Sequence, residues 1–350
     1  MKTTVGIVGA TGYGGLQLIR ILMDHPEVEL TYLGANRNTD VPIQKLYPFL
    51  PEDKINLICE PIVPSRIIER CQVVFMAVPN GIAADLVPEL VAGGCQVLDL
   101  SADYRFQDLH LYEQWYAKPR TDHATAQQSV YGLPELYRER IKRAQLIGCP
   151  GCYPTASLLA AAPLLKQGLV LPESLIIDAK SGTSGAGREA HVDQLFAEVD
   201  GSVRAYKIGR HRHTPEIEQI CSDLAGTKNI QVQFTPHLVP MTRGILVTLY
   251  GQMRDPGLVT EDILTIYEAF YRHSPFVKVF KIDIYPQTKW VIGTNNCFIG
   301  LEADSRTGRV VVVAVIDNLL KGQSAQAVQC LNLRQGWPET LGLPQTGYYP

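Results

Sequence analysis

One cysteine in this chain is placed for nucleophilic chemistry. In Gly148-Cys149-Pro150-Gly151-Cys152-Tyr153-Pro154-Thr155 a Gly- and Pro-rich turn runs into an apolar stretch, 155–166, that reads as a helix with Pro154 in its first turn. The partial positive charge at a helix start favours a thiolate. A thiolate is the nucleophile needed against an activated acyl group such as an acyl phosphate. Cys152 lies nearer the helix start than Cys149 and is the better candidate. The Cys149-x-x-Cys152 spacing also suits a zinc half-site or a redox pair. Zinc would need further paired ligands and there is no second C-x-x-C, so no metal is expected. A thioredoxin-like pair would leave the dinucleotide loop described below unexplained.

A thiol needs a proton acceptor, and two histidines stand together in Gly209-Arg210-His211-Arg212-His213-Thr214-Pro215-Glu216. Thr214 can cap the following helix, with Pro215 in its first turn. The irregular residues before the cap can present side chains into a cleft, where a histidine acts as general acid and base. Two surface histidines at a helix start is the plainer reading. Of the pair, His211 is favoured for proton transfer because it lies further from the cap. Ser181-Gly182-Thr183-Ser184-Gly185-Ala186-Gly187-Arg188 is a small-residue loop able to offer backbone N–H groups to a ligand. Leu100-Ser101-Ala102-Asp103-Tyr104-Arg105 ends a strand, and Arg105 could clamp a carboxylate or phosphate.

The opening segment, Gly6-Ile7-Val8-Gly9-Ala10-Thr11-Gly12-Tyr13-Gly14-Gly15, follows a strand and opens a helix. Such a loop lets the backbone approach a pyrophosphate at a helix N-terminus. Gly9, Thr11, Gly12, Tyr13 and Gly14 are therefore assigned to a dinucleotide, although Gly-x-x-Gly-x-x-Gly departs from the usual spacing. Arg37 ends the second strand where an acidic residue would read a ribose hydroxyl. It suits a 2′-phosphate instead, which favours NADP(H).

The elements that must position these groups change character along the 350 residues. Strands at 5–8, 29–35, 73–78, 96–100 and 146–147 alternate with helices at 16–23 and 83–92, the latter made irregular by Pro88. That pattern predicts a parallel, doubly wound α/β sheet. Strand-like runs at 175–179, 231–238, 245–251 and 310–315, with helices at 215–224 and 260–272, predict a second, mixed sheet. Residues 317–333 read as one last helix. Thirty-five acidic side chains oppose thirty-two basic ones, which supports neither a nucleic-acid footprint nor attraction to a membrane. No apolar run reaches the roughly 20 residues that span a bilayer. With no secretory pattern at the N-terminus, the expected location is cytoplasmic, and most of the eight cysteines are expected to be reduced.

Taken in order, the glycine loop, 100–105, Pro150-Gly151-Cys152-Tyr153-Pro154-Thr155, 180–188, His211-Arg212-His213-Thr214-Pro215-Glu216, Pro240-Met241-Thr242-Arg243-Gly244 and Asp317-Asn318-Leu319-Leu320-Lys321-Gly322 closely resemble the N-acetyl-gamma-glutamyl-phosphate reductases of arginine biosynthesis. The resemblance covers nearly the whole chain. It implies the fold of aspartate-semialdehyde dehydrogenase: a Rossmann domain over 1–151, an α+β catalytic and oligomerisation domain over 152–316, and a C-terminal helix, 317–350, returning to the first. It implies Cys152 as nucleophile, His211 and His213 as the source of the base, and Asn318 at the nicotinamide carboxamide. Ser181 and Gly182 are assigned with Asn318 to NADP(H), and Arg105, Ser184 and Glu216 to the substrate. A thioester would form and a hydride would reduce it to an aldehyde, in a homodimer or homotetramer. Two positions depart from the family: Cys149 stands where asparagine is usual, and Asn80 where histidine is common. Two rival readings remain, a reductase of carrier-protein-linked glutamyl or aminoadipyl phosphate, and a dinucleotide sensor without catalysis.

Overall fold

Short runs rich in Val, Ile and Leu form the strands, and they assemble into one sheet in each of two units. The computed structural model describes residues 1–349. The chain divides at 151/152 and again at 322/323: the first unit holds 1–151 and 323–343, the second 152–322 and the tail from 344. The second division falls six residues beyond the expected one, and the tail packs with the second unit rather than the first.

The first unit contains β1 (Thr3–Val8), β2 (Val28–Gly34), β3 (Val41–Pro42), β4 (Ile58–Glu60), β5 (Val73–Met76), β6 (Gln96–Asp99), β7 (Val130–Tyr131) and β8 (Leu146–Gly148), in the sheet order β3-β4-β2-β1-β5-β6-β8-β7. All neighbours are parallel except β3 and β4. The central strands are apolar and buried where they are covered on both faces, over Val5–Val8 of β1 and all of β5. Helix Ile82–Ala92 runs through Pro88, which was expected to disturb it. A single proline removes only one backbone bond, and Ala83, Val87 and Leu90 still bury their side chains along one face.

The second unit contains β9 (Ile176–Ser181), β10 (Arg204–Ala205), β11 (Gln233–Leu238), β12 (Ile245–Gln252), β13 (Val277–Val279), β14 (Cys297–Asp304) and β15 (Arg309–Ile316), in the order β10-β11-β9-β12-β15-β14-β13. The sheet is mixed: β11 is parallel to β9 and β13 to β14, while the remaining pairs are antiparallel. β12 alternates strictly between buried and half-buried residues. Helix Cys152–Lys166 contacts β12 and β15, and every residue from Tyr153 to Leu165 is buried. Burying a leucine contributes about 1.5–3 kcal/mol, so Leu158, Leu159, Leu164 and Leu165 fix this helix firmly. β14 escaped the sequence reading because Gly300 interrupts its pattern. Gly300 is needed where the strand meets the backbone of Ile284, whose carbonyl oxygen would lie 2.6 Å from an added Cβ.

Residues 317–333 are not one helix; the helix is Ser324–Gln335. The preceding six residues form a turn around the Asp317 carboxylate, whose Oδ1 accepts from the N–H groups of Leu319 and Leu320 at 2.9 and 3.1 Å. An aspartate that satisfies the following backbone itself competes with helix formation. Within the first unit Ser324 Oγ donates to the Gly14 carbonyl at 3.0 Å, which ties the last helix to the helix Tyr13–Leu22. Among the described residues no helix is long and apolar enough to cross a membrane.

The glycine loop separates structural glycines from an open one. Gly9 has φ +91°, and an added Cβ would lie 2.2 Å from the Ala77 carbonyl oxygen. At Gly12 the nearest atom would be 3.7 Å away. Gly9→Ala should therefore lower unfolding free energy by at least about 1–3 kcal/mol, whereas Gly12→Ala should stay within about 0.5 kcal/mol of wild type. Urea denaturation of the two variants measures this; equal losses would contradict it.

Candidate active site

Cys152 is the first residue of the helix Cys152–Lys166 and is half-buried, while the other seven cysteines are buried. Its surroundings in the second unit explain Gly322. An added Cβ at Gly322 would lie 2.8 Å from the Cys152 Cβ and 2.6 Å from the Asn318 carbonyl oxygen. The turn of residues 317–322 is thus folded directly against Cys152. It is pinned by the Asp317 carboxylate, which also accepts from Gly293 N–H at 2.8 Å and pairs with Arg243 at 3.1 Å.

The two histidines do meet the helix that carries Cys152. Tyr153 packs edge-on against His211 and His213, with ring centroids 5.5 and 6.1 Å apart, and the two imidazoles are 4.9 Å apart. Phe234 on β11 and Tyr206 close the cluster around His211, at 5.4 and 5.5 Å. Each such ring pair contributes about 0.5–1.5 kcal/mol beyond its buried area. The Tyr206 hydroxyl donates to Tyr153 Oη at 3.2 Å, and Tyr153 donates to the His237 carbonyl at 3.2 Å. Burial pushes both phenols up, Tyr206 to about 12, and the charge of a Cys152 thiolate adds to this in each case. Tyr206 was missed because it lies in an irregular segment, five residues before His211, with no periodicity to mark it. The short β10–β11 pairing places it.

Thr214 does not cap its helix. His213 occupies the cap position, and Thr214 is the first helical residue of Thr214–Ala225. The His213 backbone N–H turns back and donates to His211 Nδ1 at 3.1 Å. Burial, joined by the charges of Lys207 and Arg212, pushes the His211 pKa down to about 3. The folded ring is therefore neutral, and acidification below the ordinary 6.5 favours the unfolded chain, where the ring protonates freely. Glu216, in the first turn of the same helix, is completely buried.

The loop at 181–186 does not present its backbone as expected. The N–H groups of Gly182, Thr183 and Ser184 donate to the carbonyls of Gly244, Met241 and Thr242 at 3.0, 2.9 and 3.1 Å. They zip this loop to the 240–244 turn, so these three N–H groups are not offered to a ligand. Ser181 Oγ donates to the Gly182 carbonyl at 2.9 Å. Asn318 locks the pair of loops together: Nδ2 donates to Ser184 Oγ at 3.0 Å, and Oδ1 accepts from Gly244 N–H at 2.7 Å.

In the first unit, Arg105 is buried and holds backbone rather than pointing into solvent. Its Nε donates to the Cys149 carbonyl at 2.6 Å and Nη2 to the Leu100 carbonyl at 2.8 Å. Asn80 Oδ1 accepts from Ala102 N–H at 2.9 Å, so it braces the same segment. Burial and the neighbouring Asp103 charge push the Asp99 carboxyl up, although Ser101 donates to it. The helix after the glycine loop starts at Tyr13 with Gly12 as cap, a residue with no side chain to bond the first turn. Its N–H groups and the open space at Gly12 fit a dinucleotide pyrophosphate. Arg37 is exposed just past β2. Among the described residues no group of three His, Cys, Asp or Glu side chains is gathered to hold a metal.

Gly322→Ala should shift the start of the helix that carries Cys152. A misplacement of about 1 Å costs on the order of 100-fold in rate, so turnover should fall at least about tenfold with little change in the far-ultraviolet circular dichroism. Steady-state kinetics measures this, and wild-type turnover would contradict it.

Residues 4–144 match the NAD-binding domain of the semialdehyde dehydrogenases, and residues 152–318 match their dimerisation domain. N-acetyl-gamma-glutamyl-phosphate reductase of Gloeobacter violaceus is 66% identical over 349 residues, covering 100% of this chain and 99% of that protein. The enzyme of the same name from Thermosynechococcus vestitus is 63% identical over the same span and shares. Among solved structures, aspartate semialdehyde dehydrogenase II of Vibrio cholerae, complexed with ASA, superposes with a TM-score of 0.74 at 16% identity, covering 95% of this chain and 98% of its own. The enzyme of Candida albicans with NADP gives 0.72 at 16% identity, covering 96% and 99%. These two show the fold, a Rossmann-type α/β domain with an α+β domain of the aspartate-semialdehyde dehydrogenase type. Sequence identity above 60% across the full length shows more: the chain belongs to the N-acetyl-gamma-glutamyl-phosphate reductase family.

Proposed function

We propose that this chain reduces N-acetyl-L-glutamyl 5-phosphate to N-acetyl-L-glutamate 5-semialdehyde and phosphate with NADPH, a step of arginine biosynthesis, as a cytoplasmic homo-oligomer. The observation that carries the reading is the half-buried Cys152 at the start of a buried helix, with a histidine pair packed on the next residue of that helix.

In this reading Cys152 loses its proton to the histidine pair and attacks the γ-acyl carbon, with the helix start favouring the thiolate. Backbone N–H groups of that first helical turn stabilise the oxyanion. Phosphate departs with proton help from the same pair, and Cys152 holds the acyl group as a thioester. Bound NADPH supplies the hydride that brings this group to the aldehyde level. Cys152 then releases the product as the hemithioacetal collapses. Gly9, Thr11, Gly12, Tyr13 and Gly14 hold the pyrophosphate, and Arg37 pairs with the 2′-phosphate. Ser181, Gly182 and Asn318 keep their assignment to the cofactor, Gly182 through its carbonyl since its N–H is engaged. Ser184 and Glu216 keep their assignment to the substrate, Glu216 from a fully buried place in the first turn of its helix, and Arg105 supports the site through the backbone it holds.

The direct assay runs the reaction backwards. Semialdehyde, phosphate and NADP⁺ should give NADPH absorbance only when all three are present; a sensor gives none, and a carrier-linked reductase ignores the free semialdehyde. Cys152→Ser should abolish this signal while dinucleotide affinity stays within a few-fold, because a hydroxyl is a far poorer nucleophile than a thiolate. Activity retained in that variant would refute the assignment. Arg37→Ala should raise KM for NADPH at least about tenfold more than KM for NADH, the equivalent of about 1.4 kcal/mol for a lost charged contact. Equal changes would show that Arg37 does not read the phosphate.

A further inference from the structure

The two histidines of the site are not equivalent, and the backbone between them says which nitrogen of His211 carries a proton. A neutral imidazole has one N–H donor and one acceptor nitrogen. At His211 the acceptor is identified by its partner: the His213 backbone N–H, which has no other possible role than donor, points at His211 Nδ1 from 3.1 Å. From this bond we infer that His211 is held as the Nε2–H tautomer and works as a fixed neutral hydrogen-bond donor, not as the base that takes the thiol proton.

The packing supports this. Tyr153 from the nucleophile's helix, Tyr206 from the preceding segment and Phe234 from β11 enclose the ring. None of them brings a negative charge: both tyrosines are held protonated by burial. The charged groups acting on His211 are Lys207 and Arg212, and both oppose an imidazolium. His213 beside it is the fourth ring. A second proton on His211 would also have to displace the His213 N–H from Nδ1. That would leave a backbone donor at a helix cap without its partner. The ring thus has no lone pair to offer the thiol. What it offers is an N–H that stays in place across the working pH range, suited to an oxygen of the acyl phosphate as charge gathers there. Proton transfer then falls to His213. This assignment rests on the acyl-phosphate reading above.

Two measurements test it. In protein labelled with ¹⁵N-histidine, the His211 nitrogens, assigned by loss of their signals in His211→Asn, should show Nε2 protonated and Nδ1 bare from pH 5 to pH 8. An Nδ1–H tautomer, or titration within that range, overturns the inference, and this experiment needs no substrate. In kinetics, His211→Asn keeps an acceptor near Nδ1 but has no donor at Nε2. Turnover should fall on the order of 10²–10³-fold, the usual loss for a donor to a developing oxyanion. His211→Gln places an amide N–H near the Nε2 position and should recover at least tenfold of that loss, with both limbs of the pH–rate profile intact. If Gln and Asn are equally poor and both lose a limb, His211 is the base and the inference falls. If the wild-type protein lacks activity on the semialdehyde but keeps the tautomer, the substrate reading falls and the tautomer stands.

Discussion

The start of one buried helix must meet the backbone of a glycine, and the arrangement of the second unit follows from that contact. Helix Cys152–Lys166 is enclosed from Tyr153 to Leu165, so it cannot turn or slide without opening the core of its sheet. Its first residue then has one place to be, and there the Gly322 backbone lies so near that a methyl group would sit 2.8 Å from the Cys152 Cβ. The turn that brings Gly322 in is built around Asp317, which bonds two of the following N–H groups, Gly293 and Arg243. Asn318 in the same turn locks two further loops. Position of the thiol and order of the loops are therefore one structural problem, solved by a rigid helix, an aspartate and a glycine.

Backbone N–H groups are used in opposite ways at the two small-residue loops. The glycine loop of the first unit leads into a helix capped by Gly12, which has no side chain to bond the first turn and no close neighbour beyond the Gly9 carbonyl oxygen at 3.7 Å from an added Cβ. That is the geometry of an anion site. The loop at 181–186 has similar composition but commits three successive N–H groups to the 240–244 turn. It acts as scaffold for Asn318 and Ser184, not as a second phosphate cradle. Composition alone does not separate these cases, because what decides is whether another segment arrives to accept the bonds.

Much of the fold was legible because its signals are local. The apolar runs of β1, β5 and β15 and the alternation of β12 name themselves, and the change from alternating helices and strands to a strand-rich pattern separates the two sheets. The misses share a physical origin in contacts between distant segments. The 317–322 turn looks helical until the Asp317 carboxylate is seen to take the N–H groups, and β14 looks broken until Ile284 is seen to require Gly300. At the site, Cys152 and the histidine pair could be chosen from residue type and spacing. Tyr206 could not, since only the β10–β11 pairing brings it beside His211. Arg105 was legible as important but not in its job: it is buried against the carbonyls of Leu100 and Cys149. Distance from the helix cap favours His211 as base, but it is a weaker consideration than the hydrogen bond that occupies His211 Nδ1.

A covalent bond between Cys152 and the substrate's acyl group is the centre of this account, and it can be looked for directly. Incubating the protein with N-acetylglutamyl phosphate in the absence of reductant, quenching in acid and mapping the peptides by mass spectrometry should find an N-acetylglutamyl adduct, labile to hydroxylamine, on Cys152. An adduct on Cys149 instead, or an unmodified protein under conditions where added NADPH gives turnover, would contradict it.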